Sequence, residues 1–212
     1  MAKIENVEVY GLESSIYRSG YPMMAVAPTS EDYKEAVDQI RYDLINGNDD
    51  PHIKRAVKLA TMKGGGHDQF LTGIIVNFDL TFSNKAWVEA ERYTFLNFIS
   101  SCSTMHKISK MNIQDCCCEY VSKDAVATAE EWQKNYAVIK DDPEASDESK
   151  KAAYLNLLYN LPSGFEITAG MTTNYRCLKN IYEQRRHHRL PDWQVFCDWI
   201  ESLPMSELIT GL

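Results

Sequence analysis

Five consecutive basic or ionisable residues, Arg-Arg-His-His-Arg at 185–189, interrupt a chain that is otherwise acidic. Guanidinium groups bind phosphates and carboxylates through paired hydrogen bonds, so this run is a candidate anion-binding site. A basic helix end that complements the helix dipole is the plainer interpretation. Two histidines among three arginines exceed what that role requires. We therefore favour the binding of an anion.

Further polar side chains lie upstream, in the segment TTNYRCLKNIYEQ, which predicts a long helix ending in the basic run. Asn174 and Arg185 are 11 residues apart, which is close to three turns and places them on one helix face about 16 Å apart. Arg176 and Asn180, at i and i+4, form a second polar pair. A small ligand cannot touch both ends of this face. Either a nucleotide cofactor spans it, or its two ends serve different parts of a shared site.

Three other clusters carry polar or reactive side chains, and each has a plainer alternative. His67 follows a glycine-rich turn, where a ligand can approach the backbone, or it is simply a loop histidine. Arg92 shares a predicted helix face with Glu89, either within a site or as a surface ion pair of little energetic value. The segment SSCSTMHK at 100–107 either hydrogen-bonds a phosphate or poises a nucleophile, or it is a polar loop.

Composition limits the classes of function that these residues can serve. With 212 residues, 44% hydrophobic and 25% charged, the sequence predicts a single globular domain over residues 1–212. The net charge of −8 argues against general nucleic-acid binding and favours a small anionic ligand. The six cysteines lack paired metal-ligand spacing, so we expect reduced thiols and no metal site. We see no signal peptide and no membrane-spanning segment, and we expect a cytoplasmic protein.

The elements that must position these residues are predicted from periodicity and capping. The segment FLTGIIVNFDLTF at 70–82 alternates with period two and predicts a strand with one buried face. Another strand is predicted at 4–10. An acidic surface loop is predicted near 140–150, where the sequence reads KDDPEASDESK. Helices are predicted at 30–46, from 51 to the glycines at 64–66, at 85–99, at 124–137, at 152–161, from 172 to the basic run, and at 193–203.

Taken in order, these features resemble the flavin-dependent thymidylate synthases, in a divergent branch often found in phage and prophage genomes. In that family a Gly-His precedes a strand, and the next helix carries a glutamine and the signature RHRxxSxNxxSxRY. A later block begins with Leu-Pro and carries an asparagine and a final arginine. Here residues 66–107, GHDQ…STMHK, match the first block. Residues 161–185, LPSG…YEQR, match the second block without gaps.

The resemblance assigns roles to individual residues. Arg92 and Arg185 would be catalytic, the first polarising the pyrimidine or contacting flavin and the second holding the base or its phosphate. His67, Arg92, Asn174 and Asn180 would contact the flavin, while Glu89, Cys102, Ser103 and Arg185 would contact the nucleotide. The signature is eroded: Glu89 replaces the glutamine, Tyr93 and Thr94 replace the second His-Arg, Cys102 replaces a serine, and Thr104 and Leu158 replace arginines.

The resemblance implies an α/β fold with a mixed sheet flanked by long helices, assembled as a homotetramer with shared active sites. It implies an enzyme that binds FAD and methylates dUMP or a related pyrimidine deoxynucleotide, with methylenetetrahydrofolate and NADPH as co-substrates. The lost arginines favour an alternative, a non-catalytic nucleotide-binding protein on the same scaffold. Nucleic-acid binding through residues 185–189 is a third interpretation, which the acidic balance disfavours.

Overall fold

An antiparallel sheet of four strands forms the centre of the computed structural model, which describes residues 2–62 and 66–211. The strand order is β1-β2-β4-β3, with β1 at Lys3–Tyr10, β2 at Ile75–Ser83, β3 at Asn97–Ser101 and β4 at Glu166–Asn174. The predicted α/β class, a sheet flanked by helices, is confirmed. Every strand pairing in the described ranges is antiparallel, whereas a mixed sheet was predicted.

The helices of the described residues cover the sheet and extend beyond it. They are α1 at Leu12–Arg18, α2 at Ser30–Asn46, α3 at Pro51–Thr61, α4 at Asn84–Ala90, α5 at Thr104–Lys107, α6 at Lys123–Asp141, α7 at Asp147–Tyr159, α8 at Tyr175–Arg185, α9 at Pro191–Glu201 and α10 at Glu207–Thr210. No helix in these ranges is both long enough and apolar enough to span a membrane.

The period-two pattern of β2 is confirmed, but the strand is shorter than predicted. Its alternate residues Val76, Phe78, Leu80 and Phe82 are buried in the main core. The five residues Gln69–Gly73 form a turn of 3₁₀ helix instead of strand. Gly73 permits close packing there, since a Cβ atom on it would lie 2.5 Å from the hydroxyl of Ser15. Tertiary contact therefore overrides the local strand pattern at this end.

The single helix predicted at 85–99 is in fact a short helix followed by a strand. Ser83 caps α4 by accepting a hydrogen bond from the amide of Ala86 at 3.2 Å, and α4 ends at Ala90. The chain then turns and forms β3, which pairs with β4 far along the sequence. Arg92 therefore lies in a turn after α4 and not on a helix, as the sequence had suggested.

The segment predicted as one long helix from residue 172 begins as the unpredicted strand β4. Asn174 ends β4 and caps α8, because its side-chain oxygen accepts a hydrogen bond from the amide of Cys177 at 2.9 Å. The predicted inward stripe of α8, namely Leu178, Ile181 and Tyr182, is buried. The helix ends at Arg185, so residues 186–189 form a turn beyond it.

Two more predicted boundaries shift for local reasons. The loop predicted near 140–150 is confined to residues 142–146, because Ser146 caps α7 by accepting from the amide of Ser149 at 3.2 Å. Helix α3 ends at Thr61. The glycines at 64 and 65, predicted to end it, lie outside the described residues.

A second apolar cluster, separate from the main core, is built from Ile108, Ile113, Val126, Ala129, Leu157 and Phe165.

Candidate functional site

A cavity of about 1010 Å³ runs along one side of α8. This volume lies at the upper end of the range of about 300–1,000 Å³ that is usual for ligand pockets. The cavity brings together five residues that the sequence singled out, namely Arg92, Asn174, Arg176, Asn180 and Arg185. The other lining residues are Gln69, Thr72, Tyr93, Thr94, Phe95, Cys177 and Gln184. Because the cavity follows the helix, both ends of α8 contribute to one site.

Arg185 is fixed at the wall of this cavity by three neighbours. Its Nη1 donates to Oε2 of Glu89 at 2.8 Å, and its Nε donates to the hydroxyl of Tyr93 at 2.7 Å. The guanidinium carbon lies 4.8 Å from the ring centre of Trp193, within the range of a cation–π contact. The side chain is 12% exposed, so its position is set by the chain.

The carboxylate of Glu89 is the hub of this arrangement. Besides Arg185, it accepts hydrogen bonds from the indole of Trp193 at 3.1 Å and from Lys85 at 3.3 Å. Nε2 of His188 lies 3.4 Å from it. Burial raises the pKa of Glu89, but the hydrogen bonds from Lys85 and Trp193 and the charges of His188 and Arg185 outweigh burial and lower it. Glu89 is therefore ionised at neutral pH, and it does not line the cavity.

A second polar network joins the turn at 66–69 to α8. Nη1 of Arg176 donates to the side-chain oxygen of Gln69 at 2.7 Å. Arg176 and Lys179 both pair with Asp68, at 3.3 and 2.9 Å. Burial raises the pKa of Asp68, but Lys179 and Arg176 outweigh burial and lower it. The Gly-His-Asp-Gln turn thus reaches the site through Asp68 and Gln69, while His67 is exposed and does not line the cavity.

Some polar side chains of the cavity have no partner in the described part of the chain and are available to a ligand. The side chain of Arg92 is exposed and makes no ion pair or hydrogen bond within residues 2–62 and 66–211. Asn180 is exposed at the cavity, and the side-chain oxygen of Asn174 is occupied by the cap of α8. Of the three arginines that line the cavity, Arg92 alone has no carboxylate partner in the described part of the chain.

The basic run at 185–189 does not converge on one anion. Arg185 and His188 turn toward Glu89, whereas Arg186 stacks on the ring of Tyr182 at 5.0 Å. Arg189 lines a different cavity, of about 460 Å³, beside Lys85. Of this run, Arg185 lines the large cavity, and the five residues do not form one common site in the described part of the chain.

Cys102 and Ser103 lie apart from the large cavity. They line a separate pocket of about 460 Å³ that also includes Glu91 and Phe98. Because β3 intervenes where a continuous helix was predicted, one chain does not bring these two residues to Arg185.

The sequence did not predict the contacts that two residues make with Arg185. Tyr93 was noted only as a replacement, yet it binds Arg185 directly and also donates to the side chain of Gln184 at 3.0 Å. Trp193 fell within the last predicted helix but was not singled out. Two local signals pointed to this side of α8, namely the 11-residue spacing of Asn174 and Arg185 and the i, i+4 spacing of Arg176 and Asn180.

The fold is similar to that of solved flavin-dependent thymidylate synthases. It is similar to a flavin-dependent thymidylate synthase ThyX from Helicobacter pylori complexed with FAD and dUMP, with a TM-score of 0.66 and 11% identity over 98% of this chain and 97% of the other. A second ThyX structure from Helicobacter pylori, also with FAD and dUMP, has a TM-score of 0.63 and 13% identity over 99% and 97%. At this identity the similarity shows the fold. No protein-family model matches the sequence, and no curated protein sequence matches it significantly.

Proposed function

We propose that the protein binds FAD and a pyrimidine deoxynucleotide in the cavity along α8 and methylates the base, converting dUMP to dTMP or acting on a related nucleotide. Methylenetetrahydrofolate would donate the carbon and NADPH the electrons. One observation carries the proposal. A cavity of about 1010 Å³ holds three arginines and two asparagines in a chain that shares its fold, over 98% of its length, with a ThyX complexed with FAD and dUMP.

The residues present fit such ligands. The cavity has the volume for a nucleotide, and Arg92, Asn180 and the amide nitrogen of Asn174 are available as donors. A reduced flavin supplies the hydride when it is bound, and the side chains position and polarise the base. Arg92 would polarise the pyrimidine or contact flavin, and Arg185 would hold the base or its phosphate. Asn174 and Asn180 would frame the flavin from the cavity, whereas the flavin contact implied for His67 would have to be made outside it, because His67 does not line the cavity.

The subunit arrangement follows from the same resemblance. We propose a homotetramer with shared active sites, in which the pocket of Cys102 and Ser103 on one subunit adjoins the Arg185 cavity of another. No protein nucleophile is required, so a cysteine in place of a serine at 102 is compatible with this chemistry. All six cysteines are unpaired, which supports a reducing cytoplasm as the location.

The visible absorption spectrum of the purified protein, with and without added FAD, tests the proposal first. We expect a bound-flavin spectrum that bleaches on addition of NADPH. A protein that remains colourless after incubation with FAD would refute flavin binding, and with it the proposed reaction.

A second candidate is a non-catalytic protein that binds a nucleotide on the same scaffold. The observation that favours it is the engagement of Arg185 by Glu89 and Tyr93, which replace a glutamine and a histidine of the family signature. Tight binding of dUMP to a protein that takes up no flavin would select this function. Flavin reduction by NADPH, followed by dTMP formation, would exclude it.

A further inference from the structure

The partners of Arg185 limit what this arginine can offer a ligand. A guanidinium carries five N–H groups. Nε is occupied by Tyr93 and Nη1 by Glu89, while Nη2 has no partner in the described part of the chain. A ligand in the cavity therefore meets Arg185 as a donor of a few hydrogen bonds in a fixed orientation, and not as a guanidinium fork free to turn.

The charge of Arg185 is also compensated before any ligand arrives. Glu89 is ionised and lies 2.8 Å from Nη1, so the pair is close to neutral as seen from the cavity. A phosphate bound to Arg185 would lie near the carboxylate of Glu89, and the repulsion would cancel much of the attraction. A carbonyl oxygen of a nucleobase carries no net charge and accepts the same hydrogen bond without that penalty.

The charges of the other two arginines in the cavity also determine where a phosphate can bind. Arg176 is paired with Asp68, and Arg92 is the arginine that keeps an uncompensated charge within the described residues. The cavity therefore offers one free cation to a phosphate group. Additional phosphates would enter a site whose other two arginines already have carboxylate partners.

We infer that Glu89 is a positioning residue that directs Arg185 to the nucleobase and withholds it from the phosphate, so that the site selects pyrimidine nucleoside monophosphates over polyphosphates and binds the phosphate through Arg92. This inference rests on the proposed function and specifies its substrate class. It also revises one role given there, because Arg92 contacts the phosphate instead of the pyrimidine ring or the flavin. It also gives the replacement of an amide by a carboxylate at position 89 a defined role.

Equilibrium binding of dUMP, dUTP and deoxyuridine to the full-length protein tests the inference. The isosteric variant Glu89→Gln keeps the hydrogen-bond acceptor and removes the charge. We expect it to bind dUMP about tenfold more tightly than the wild type, to gain more for dUTP, and to bind deoxyuridine within about twofold of the wild type. Glu131→Gln, on the exposed surface of α6, makes the same change in net charge and should leave all three affinities unchanged.

A second variant tests the phosphate assignment without disturbing the buried pair. Arg92 is exposed, so Arg92→Ala should fold normally. We expect it to lose most of the preference for dUMP over deoxyuridine while deoxyuridine still binds. An unchanged preference would overturn the assignment of the phosphate to Arg92.

The outcomes separate this inference from the proposed function. If the wild-type protein binds neither dUMP nor deoxyuridine, the proposed function is wrong and the inference fails with it. If the wild type binds both, and Glu89→Gln weakens dUMP or changes dUMP and deoxyuridine equally, the inference alone is wrong.

Discussion

Arg185, Glu89, Tyr93 and Trp193 form one unit although they come from α8, α4, the turn after α4, and α9. Arg185 and Glu89 are 96 positions apart in the chain. Sequence reasoning identified Arg185 and Glu89 separately, from a basic run and from a resemblance, but no local pattern indicates that one would compensate the other. The contact depends on the fold, which brings the end of α8 next to α4.

Replacing Arg185 by alanine should abolish dUMP binding and also lower stability. The variant leaves the carboxylate of Glu89, which is only 17% exposed, without its principal partner. We expect the free energy of unfolding to fall by about 1–3 kcal/mol, less than for a fully buried pair because Lys85 and His188 remain. Denaturant unfolding and isothermal titration measure the two effects.

The neighbouring Arg186→Ala is the matched control, because Arg186 is exposed, stacks on the ring of Tyr182 and does not line the large cavity. It should retain dUMP affinity. The double variant Arg185→Ala/Glu89→Gln should recover part of the lost stability but not the binding. Undiminished dUMP affinity in Arg185→Ala would contradict the assignment of this residue.

Glu89 should also make the stability of the protein depend on acid pH. Its pKa in the folded state lies below the ordinary value of 4.5, so its ionised form stabilises the fold above that pH. The contribution is lost as pH falls through the lowered folded-state pKa. We expect the melting temperature of the wild type to fall as the pH is lowered through and below 4.5, and to fall less steeply in Glu89→Gln. Thermal scans across this range would disprove the linkage if both proteins showed the same slope.

At the scale of elements, the junction of β4 and α8 carries both structure and function. Asn174 ends the strand, caps the helix and lines the cavity. The strand was not predicted, because EITAGMTTN alternates without the large apolar residues that mark β2, and its place in the sheet depends on pairing with β2 and β3. Helix α8 and its buried stripe were predictable, since their period is local.

Substitutions at Asn174 separate these two roles. Asn174→Ala removes the cap and should lower the free energy of unfolding by about 1 kcal/mol. Asn174→Ser keeps a capping oxygen and removes the amide donor, so it should retain near-wild-type stability. If the amide contacts flavin, both variants should bind FAD more weakly. Wild-type FAD affinity in Asn174→Ser would limit Asn174 to the structural role.

At the scale of the whole molecule, β3 forms one edge of the sheet. Within residues 2–62 and 66–211 it pairs with β4 and no other strand, and all five of its residues are exposed. Phe98 and Ile99 on this strand and Phe95 just before it expose 49%, 61% and 62% of their surface. An exposed apolar strand at a sheet edge is a usual place for association between chains. The proposed tetramer would cover it.

We therefore expect Ile99→Lys to convert an assembled protein into smaller species, as measured by sedimentation velocity. Tyr159→Lys, at a residue that is 84% exposed on α7, is the matched control and should not change the assembly. An unaltered sedimentation coefficient for Ile99→Lys would place the contact between subunits elsewhere.

The contacts that Glu89 makes with several neighbours have a consequence for the evolution of this protein. Glutamate and glutamine codons differ in a single base, so one point mutation at residue 89 removes the charge that compensates Arg185 while nearly preserving the shape of the side chain. Trp193 and Lys85 would remain beside the new amide. A change of nucleotide preference would therefore need one substitution and no loss of the folded state. We expect relatives of this protein to differ in substrate at position 89 before they differ in fold.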